Sequence, residues 1–403
     1  MHHKAVVGLD AAQDGVCFHL NDGAGRTLQA GQAARSTAGW TALQQALATH
    51  GLAPRDCLVA IEATGDHHLP WCEAWTAAGA TVLALNPLVA KRTTPVRNAI
   101  RDHKADPIDA EGLAQTAARE GSALTRFTYR SEPEVVGLRK LLAAQAAVRT
   151  ALTNLKKHTG ALEELCFPEL NATGLSPHRQ AQLLLAAPTP AQVAALAPAS
   201  LQELAGDHAP AVLAAAQNSF APAALAAAAA PALQQLLQTV AALAGSLRAI
   251  DRAVGRQAAR AIPAERLALA RSLPGFGLKT TPVILACVPD ELWLRAQPRK
   301  QKVARLQALF GMDPRVRQSG RWKGKIKLSK RGIRAARTAL YQIAFCSVIH
   351  DPLMRAYYHH LTKVLKKHHK VALFDLARKH LRRLVAVLDS RQPFQPVNLP
   401  AAA

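Results

Sequence analysis

A mixed α/β domain followed by a helical, strongly basic remainder is the fold class this sequence predicts. Three observations predict it. Short apolar runs broken by polar and glycine residues fill the N-terminal part, two heptad-spaced stretches occupy the middle, and the positive charge gathers in the last third. The chain has 403 residues, enough for two or three domains with real cores. Hydrophobic residues make up 49% and aromatics only 4%, so the apolar bulk is Ala, Leu and Val, which favours helix over sandwich.

The N-terminal elements follow from period and punctuation. AVVGLDAA, GVCFHLND and RTLQAGQA are apolar runs closed by polar or glycine residues, a three-strand meander. TAGWTALQQALATHG has a Thr start, helical apolar spacing and a terminal glycine. CLVAIEAT is a buried strand, LPWCEAWTAAG a helix, and TVLALNP a strand stopped by Pro87. The order β-β-β-α-β-α-β is the layout of the ribonuclease H-like fold, here assigned to residues 1–128.

The middle, residues 129–262, is expected to form coiled-coil arms. Leu138, Leu141, Gln145, Val148, Leu152, Leu155, Thr159 and Leu162 keep a 3-4 spacing, and so do Leu233, Leu236, Val240, Leu243, Leu247, Ile250, Val254 and Gln257. Arms of matching length suit an antiparallel hairpin, and a helix from another subunit would serve as mate equally well. The Ala/Pro-rich stretch between them, including APAALAAAAAP, reads as short helices and loosely packed connection.

Residues 263–403 read as an all-α domain. Helical stretches flank Pro274-Gly275-Phe276-Gly277, which by itself reads equally as a plain αα-turn; its place at the head of the basic block favours a helix-hairpin-helix, whose glycines would let backbone amides approach a phosphate. Beyond it, RVRQSGRWKGKIKLSKRG is a basic loop with one aromatic, leading into a helix. The net charge is +23; residues 1–125 carry −2, residues 126–259 carry +3 and residues 260–403 carry +22. Such a block attracts a polyanion by counterion release, nucleic acid above all. Lys279, Arg315, Arg317, Arg321, Lys323, Lys325, Lys330 and Arg331 are the candidate contacts.

Four carboxylates are candidates for chemistry. Asp10 ends the first strand, where it reads equally as a solvated carboxylate; Glu62 lies in an apolar strand, where a carboxylate is costly unless it is paired, bound to a cation or turned to solvent from an edge strand. Asp106 and Asp109 are three apart, hence neighbours on one helical face. Asp106 before Pro107 also reads as an N-cap with proline at the first helical position, which accounts for the pair without catalysis. Together the four offer oxygens from two strands and one helix, the supply that two Mg²⁺ ions about 3.5–4 Å apart require around a phosphoryl group. Asp66, Asp102 and Glu111 read as solvated.

Ser319 lies among Arg315, Arg317 and Arg321, which could hold a phosphodiester and stabilise developing charge. From spacing alone it reads equally as a phosphate-contacting serine. Ser329 is its rival and reads better as the N-cap of the following helix. The six cysteines are scattered, without zinc spacing, and read as reduced buried thiols. No apolar run is long enough for a bilayer and the opening MHHKAVVGLD lacks a signal-peptide layout, so the expected location is cytoplasmic.

VVGLDAAQ, IEATGDHHLPWCEAW, TVLALNPLVAKR and HKADPIDAEGLA resemble the first half of the DEDD-type transposases of bacterial insertion sequences, the family numbered one-ten. LPGFGLKTTPVIL and LFGMDPRVRQSGRWKGK with LSKRGIRAARTALYQIA resemble its C-terminal half. The resemblance covers about residues 4–125 and 265–390, in the family's order. It implies a RuvC-like domain with Asp10, Glu62, Asp106 and Asp109 as Mg²⁺ ligands, and Ser319 as a nucleophile that forms a covalent phosphoserine link to DNA. It also implies a structured guide RNA, association with the nucleoid, and dimers or tetramers whose sites are composed across subunits. Ala105 stands where the family often has Thr, and the Ala/Pro-rich middle is longer than usual. Two other functions fit the same residues: a structure-selective nuclease in which Ser319 only binds, and a non-catalytic architectural protein.

Overall fold

The computed structural model describes residues 3–93, 106–121, 123–288, 297–315, 318–319, 322–323 and 327–396. The chain divides into two compact units, Met1–Glu132 and Pro133–Ala403. Arg317, Arg321 and Lys325 lie outside the described residues, as does Asp102.

The first unit is built on five strands: β1 (Ala5–Ala11), β2 (Gly15–Asp22), β3 (Thr27–Ala34), β4 (Cys57–Glu62) and β5 (Thr81–Leu85). Helix α1 (Thr37–Ala48) precedes β4, α2 (His68–Ala77) lies between β4 and β5, and α3 (Pro87–Thr93) and α4 (Asp106–Glu120) follow. The element order is the one predicted. The sheet order is β3-β2-β1-β4-β5, with β1, β2 and β3 antiparallel and β4 and β5 parallel to β1. Strand alternation assigns its two faces. Val7, Leu9, Val59 and Ile61 pack with Leu43, Leu47, Trp71 and Trp75, while Val6, Ala60 and Leu83 pack with Leu113 and Ala117 of α4.

Gly8 shares the second face. A Cβ there would lie 2.0 Å from the Ala110 carbonyl oxygen and 2.5 Å from the Ala114 nitrogen, so only glycine lets α4 seat against β1.

In the second unit two long helices, α5 (Pro133–Cys166) and, after the insert, a 39-residue helix Ala223–Ala261, lie side by side. They are antiparallel: Gln257 donates to the Glu134 carbonyl near one end, Gln145 to Asp251 further along, and Cys166 to the Ala226 carbonyl at the other. Every heptad position is at least half-buried, and Leu142, Leu237 and Ala258, off the heptad, are buried as well. Leu138, Gln145, Thr159, Leu233 and Val254 are buried, and the remaining seam residues are half-buried.

The insert corrects the expectation of loose packing. Four helices, α6 (Pro177–Ala186), α7 (Pro190–Ala194), α8 (Pro198–Ala205) and α9 (Ala209–Gln217), close a core around Leu183, Leu184, Val193 and Val212 that also takes in Cys166, Leu233 and Leu237 of the two long helices. APAALAAAAAP is likewise no connection. From Ala223 onward it is the first part of the long helix, now α10, which continues through Pro231. An alanine run has the strongest helix propensity and outweighs one proline whose missing N–H costs a single bond.

The bases of α5 and α10 join the C-terminal core: Leu138, Leu142, Val254 and Ala258 pack in the same cluster as Phe276, Phe310, Leu340 and Leu381. That core is formed by α11 (Ala264–Arg271), α12 (Thr280–Leu285), α13 (Arg299–Leu309), α14 (Arg334–His350), α15 (Pro352–His359) and α16 (His369–Ser390). Helices α11 and α12 flank the Pro-Gly-Phe-Gly turn. Gly275, at φ +85°, answers a packing need there, because a Cβ would sit 2.8 Å from the Ile343 carbonyl oxygen. The Gly277 N–H is taken by Thr280 Oγ1 at 3.2 Å.

The domain is not wholly helical, and the stretch read as a basic loop is a nested hairpin. β6 (Pro314–Arg315) pairs with β9 (Lys327–Leu328), and within them β7 (Gln318–Ser319) pairs with β8 (Trp322–Lys323). Alternating lysines hide this signal in the sequence, because a run without an apolar face does not read as a strand. Ser329 is not the N-cap of α14, a position held by Ile333. Its hydroxyl donates to the Asp313 carboxylate and its N–H to the Asp313 carbonyl at 2.9 Å, closing the hairpin base. Gly311 (φ +65°) and Gly332 let the two strands of that base cross closely.

Among the described residues no helix is long and apolar enough to cross a membrane. Five cysteines are buried as expected, whereas Cys346 is exposed.

Candidate active site

Asp10 and Glu62 come together through strand pairing. Leu9 is in parallel register with Ile61, so the next residues, Asp10 and Glu62, stand side by side where β1 and β4 end. Both belong to the α4 face of the sheet by alternation: Gly8 and Val6 precede Asp10 on that face, and Ala60 precedes Glu62. Both are partly exposed, as a ligand or acid–base group must be. Glu62 accepts a hydrogen bond from the Thr64 hydroxyl at 2.7 Å.

Helix α4 supplies the other two. Its first turn carries Asp106 and Asp109, and Ala110, directly after Asp109, is the residue whose carbonyl abuts Gly8. Carboxylates in a first turn are favoured by the helix dipole, so the sequence explains their place before any chemistry is invoked. Glu111 accepts from Gln115 at 2.7 Å and is half-buried rather than solvated.

Sequence reasoning missed Cys17. It stands opposite Asp10 in the antiparallel β1–β2 register. Burial pushes its thiol above the ordinary range, and the charges of Asp106 and then Asp10 push it further. One thiol therefore feels a carboxylate of β1 and a carboxylate of α4 together. Counting back across the β1–β2 turn would have found it.

The donor set is all oxygen, which suits a hard cation such as Mg²⁺. The shared field on Cys17 marks a concentration of negative charge that a cation would neutralise. Among the described residues, no three His, Cys, Asp or Glu side chains converge closely enough to coordinate one ion.

In the second unit, Ser319 ends β7 in register with Trp322, leaving only Gly320 and Arg321 between the strands. It therefore stands at the tip of the inner hairpin, with Lys323 in β8. Arg315 lies in β6 opposite Lys327 and is half-buried. Lys330 is exposed in a left-handed turn at φ +54°, followed by exposed Arg331. Lys279 is at the start of α12, its ammonium 3.9 Å from the Asp251 carboxylate. Two further arginines hold the hairpin's root: Arg337 donates to the Phe310 carbonyl at 2.7 Å and Arg378 to that of Met312 at 3.0 Å.

Comparison with known proteins gives two family matches. Residues 7–168 match a DEDD-type IS110 model described as a transposase, and residues 267–359 match the "Transposase IS116/IS110/IS902 family". The chain is 33% identical over 177 residues to the "Insertion element IS900 uncharacterized 42 kDa protein" of Mycobacterium paratuberculosis. That match spans 42% of each chain, less than half the length of the relative. A solved structure, T. thermophilus RuvC in complex with Holliday junction substrate, is similar over 32% of this chain and 100% of its own, at 15% identity and a TM-score of 0.25.

Proposed function

As a member of the IS110 family of transposases, with both family domains present, this chain is one that we propose recombines DNA through a Mg²⁺–carboxylate site and a serine nucleophile. The observation that carries the reading is the meeting of Asp10 and Glu62 at adjacent strand ends, on the sheet face where α4 begins with Asp106 and Asp109. These four would hold Mg²⁺, two ions in all, and the metal's part is to neutralise charge on a transferring phosphoryl group. The chain's own contribution is to hold the donors in place, since Gly8 fixes how closely α4 approaches β1.

The second part of the proposal concerns Ser319. Its hydroxyl would attack a DNA phosphate, and the flanking cations would stabilise charge on that phosphate. Lys279, Arg315, Arg317, Arg321, Lys323, Lys325, Lys330 and Arg331 are assigned to backbone contacts, with a structured RNA as guide and a dimer or tetramer as the working assembly. Ser329 is the weaker nucleophile candidate, because its hydroxyl is engaged by Asp313 at the hairpin base.

The test has two parts. Asp10→Asn and Asp109→Asn should abolish strand cleavage and leave DNA binding nearly unchanged; full cleavage by either removes the carboxylates from the mechanism. Peptide mapping of a denaturation-resistant protein–DNA adduct should find the DNA on Ser319. An active enzyme that forms no adduct, or one attached at Ser329, would point to a different chemistry.

A further inference from the structure

A second concentration of cations lies between α15 and α16, where the family match has ended at residue 359. From His359 to Lys370 the chain reads HHLTKVLKKHHK, four lysines and four histidines with no carboxylate. His360–Val364 forms a π-helical turn, Lys366 adopts a left-handed φ of +51°, and α16 opens at His369. Every residue from Lys363 to Val371 is exposed, including Val364, Leu365 and Val371.

This knuckle is held in shape from beneath. Leu361 is buried in the C-terminal core, Leu365 N–H donates to the His360 carbonyl at 3.0 Å, and Lys367 N–H to that of Leu361 at 2.9 Å. His368 caps α16 by accepting from the Lys370 N–H at 3.2 Å, and the Tyr358 hydroxyl is 2.6 Å from His369 Nδ1. Lys367 is paired with Asp375 at 2.8 Å; Lys363, Lys366 and Lys370 have no ion pair among the described residues. Three uncompensated ammoniums on one short, braced turn repel one another, and a polyanion relieves that repulsion. Beside them stand rings edge to face, Tyr358 with His359 and with His369, both at 5.8 Å. Cations flanked by rings are the combination that holds an unpaired strand, with phosphates on the ammoniums and bases against the rings.

We propose that the α15–α16 knuckle is a nucleic-acid contact separate from the β6–β9 hairpin. It grips an unpaired strand through Lys363, Lys366 and Lys370, with Tyr358 and His369 beside the bases. This rests on the reading that the chain acts on nucleic acid and adds a site to it. An anionic membrane surface would meet the same lysines, but three scattered aliphatic side chains offer it little to bury, whereas the rings suit bases.

The full-length chain tests this. The variant Lys363→Gln/Lys366→Asn/Lys370→Gln changes only exposed positions, and Asn tolerates the left-handed turn. Its melting should match the parent's. Anisotropy with a roughly 20-nucleotide single strand should show affinity falling about tenfold and the salt slope falling by about two, as lost phosphate contacts require. A hairpin variant, Lys323→Gln/Lys325→Gln, serves as reference. If that variant weakens binding and the knuckle variant does not, the knuckle proposal alone is overturned. If the parent binds neither single strand nor duplex, the functional reading falls with it. Loss of binding to phosphatidylserine vesicles with single-strand binding intact would assign the knuckle to membranes and overturn the proposal.

Discussion

His380 is shut off from bulk solvent. It is fully buried on α16, with Nε2 2.8 Å from the Ser347 hydroxyl and Phe276 against its ring. Burial foremost, and then the Arg383 charge, lower its pKa to about 4. Because the unfolded histidine titrates near 6.5, the neutral folded form contributes its full stability above that pH and loses it as pH falls towards 4. The shift corresponds to about 3 kcal/mol. Melting followed from about pH 8 down to pH 5 should therefore show a steep acid loss in the C-terminal unit, and a shallower one in His380→Gln. Equal slopes would mean that other groups set the acid limit. Gly8 is the second position where one residue decides. Gly8→Ala should cost about 1–3 kcal/mol by overpacking α4, and should depress cleavage with it, since Asp106 and Asp109 travel on that helix. An unchanged melting temperature would show that α4 can retreat freely.

At the scale of elements, the α5–α10 pair carries a polar link inside an apolar seam. Gln145 is buried, and its Nε2 donates to Asp251 at 2.6 Å; Arg149 and Lys279 stand 3.8 and 3.9 Å from the same carboxylate. Asp251→Ala leaves the Gln145 amide without this acceptor and should lower the unit's stability by about 1–3 kcal/mol. Asp251→Asn keeps an acceptor and should lose less. If the two variants melt alike, the link contributes charge rather than a hydrogen bond. The hairpin shows the opposite economy: β6 to β9 are two residues each, and their root is tied by Ser329, Arg337 and Arg378 rather than by a core of their own.

For the whole molecule the dominant quantity is charge. The net +23 resides almost entirely in residues 260–403, so affinity for duplex DNA or structured RNA should fall steeply and linearly in log–log plots against salt. A flat response would detach the basic block from binding. The distribution is uneven between the units: the one with the four candidate carboxylates is close to neutral, and the one with most of the cations holds Ser319.

Local patterns were legible in the sequence by itself. The order of strands and helices in the first unit, the seam positions of the two arms, the strand-end place of Asp10, the first-turn place of Asp106 and Asp109, and the basic block all depend on short-range period and composition. Those signals survive because side-chain direction repeats every two or about 3.6 residues whatever the partner. Tertiary structure alone decided the rest. It put β4 beside β1, so that Asp10 meets Glu62, seated α4 against β1 at Gly8, closed α10 back on α5 and gave Ser329 to Asp313. Each is a choice between partners distant in the chain, settled by packing and hydrogen-bond satisfaction that no local period encodes.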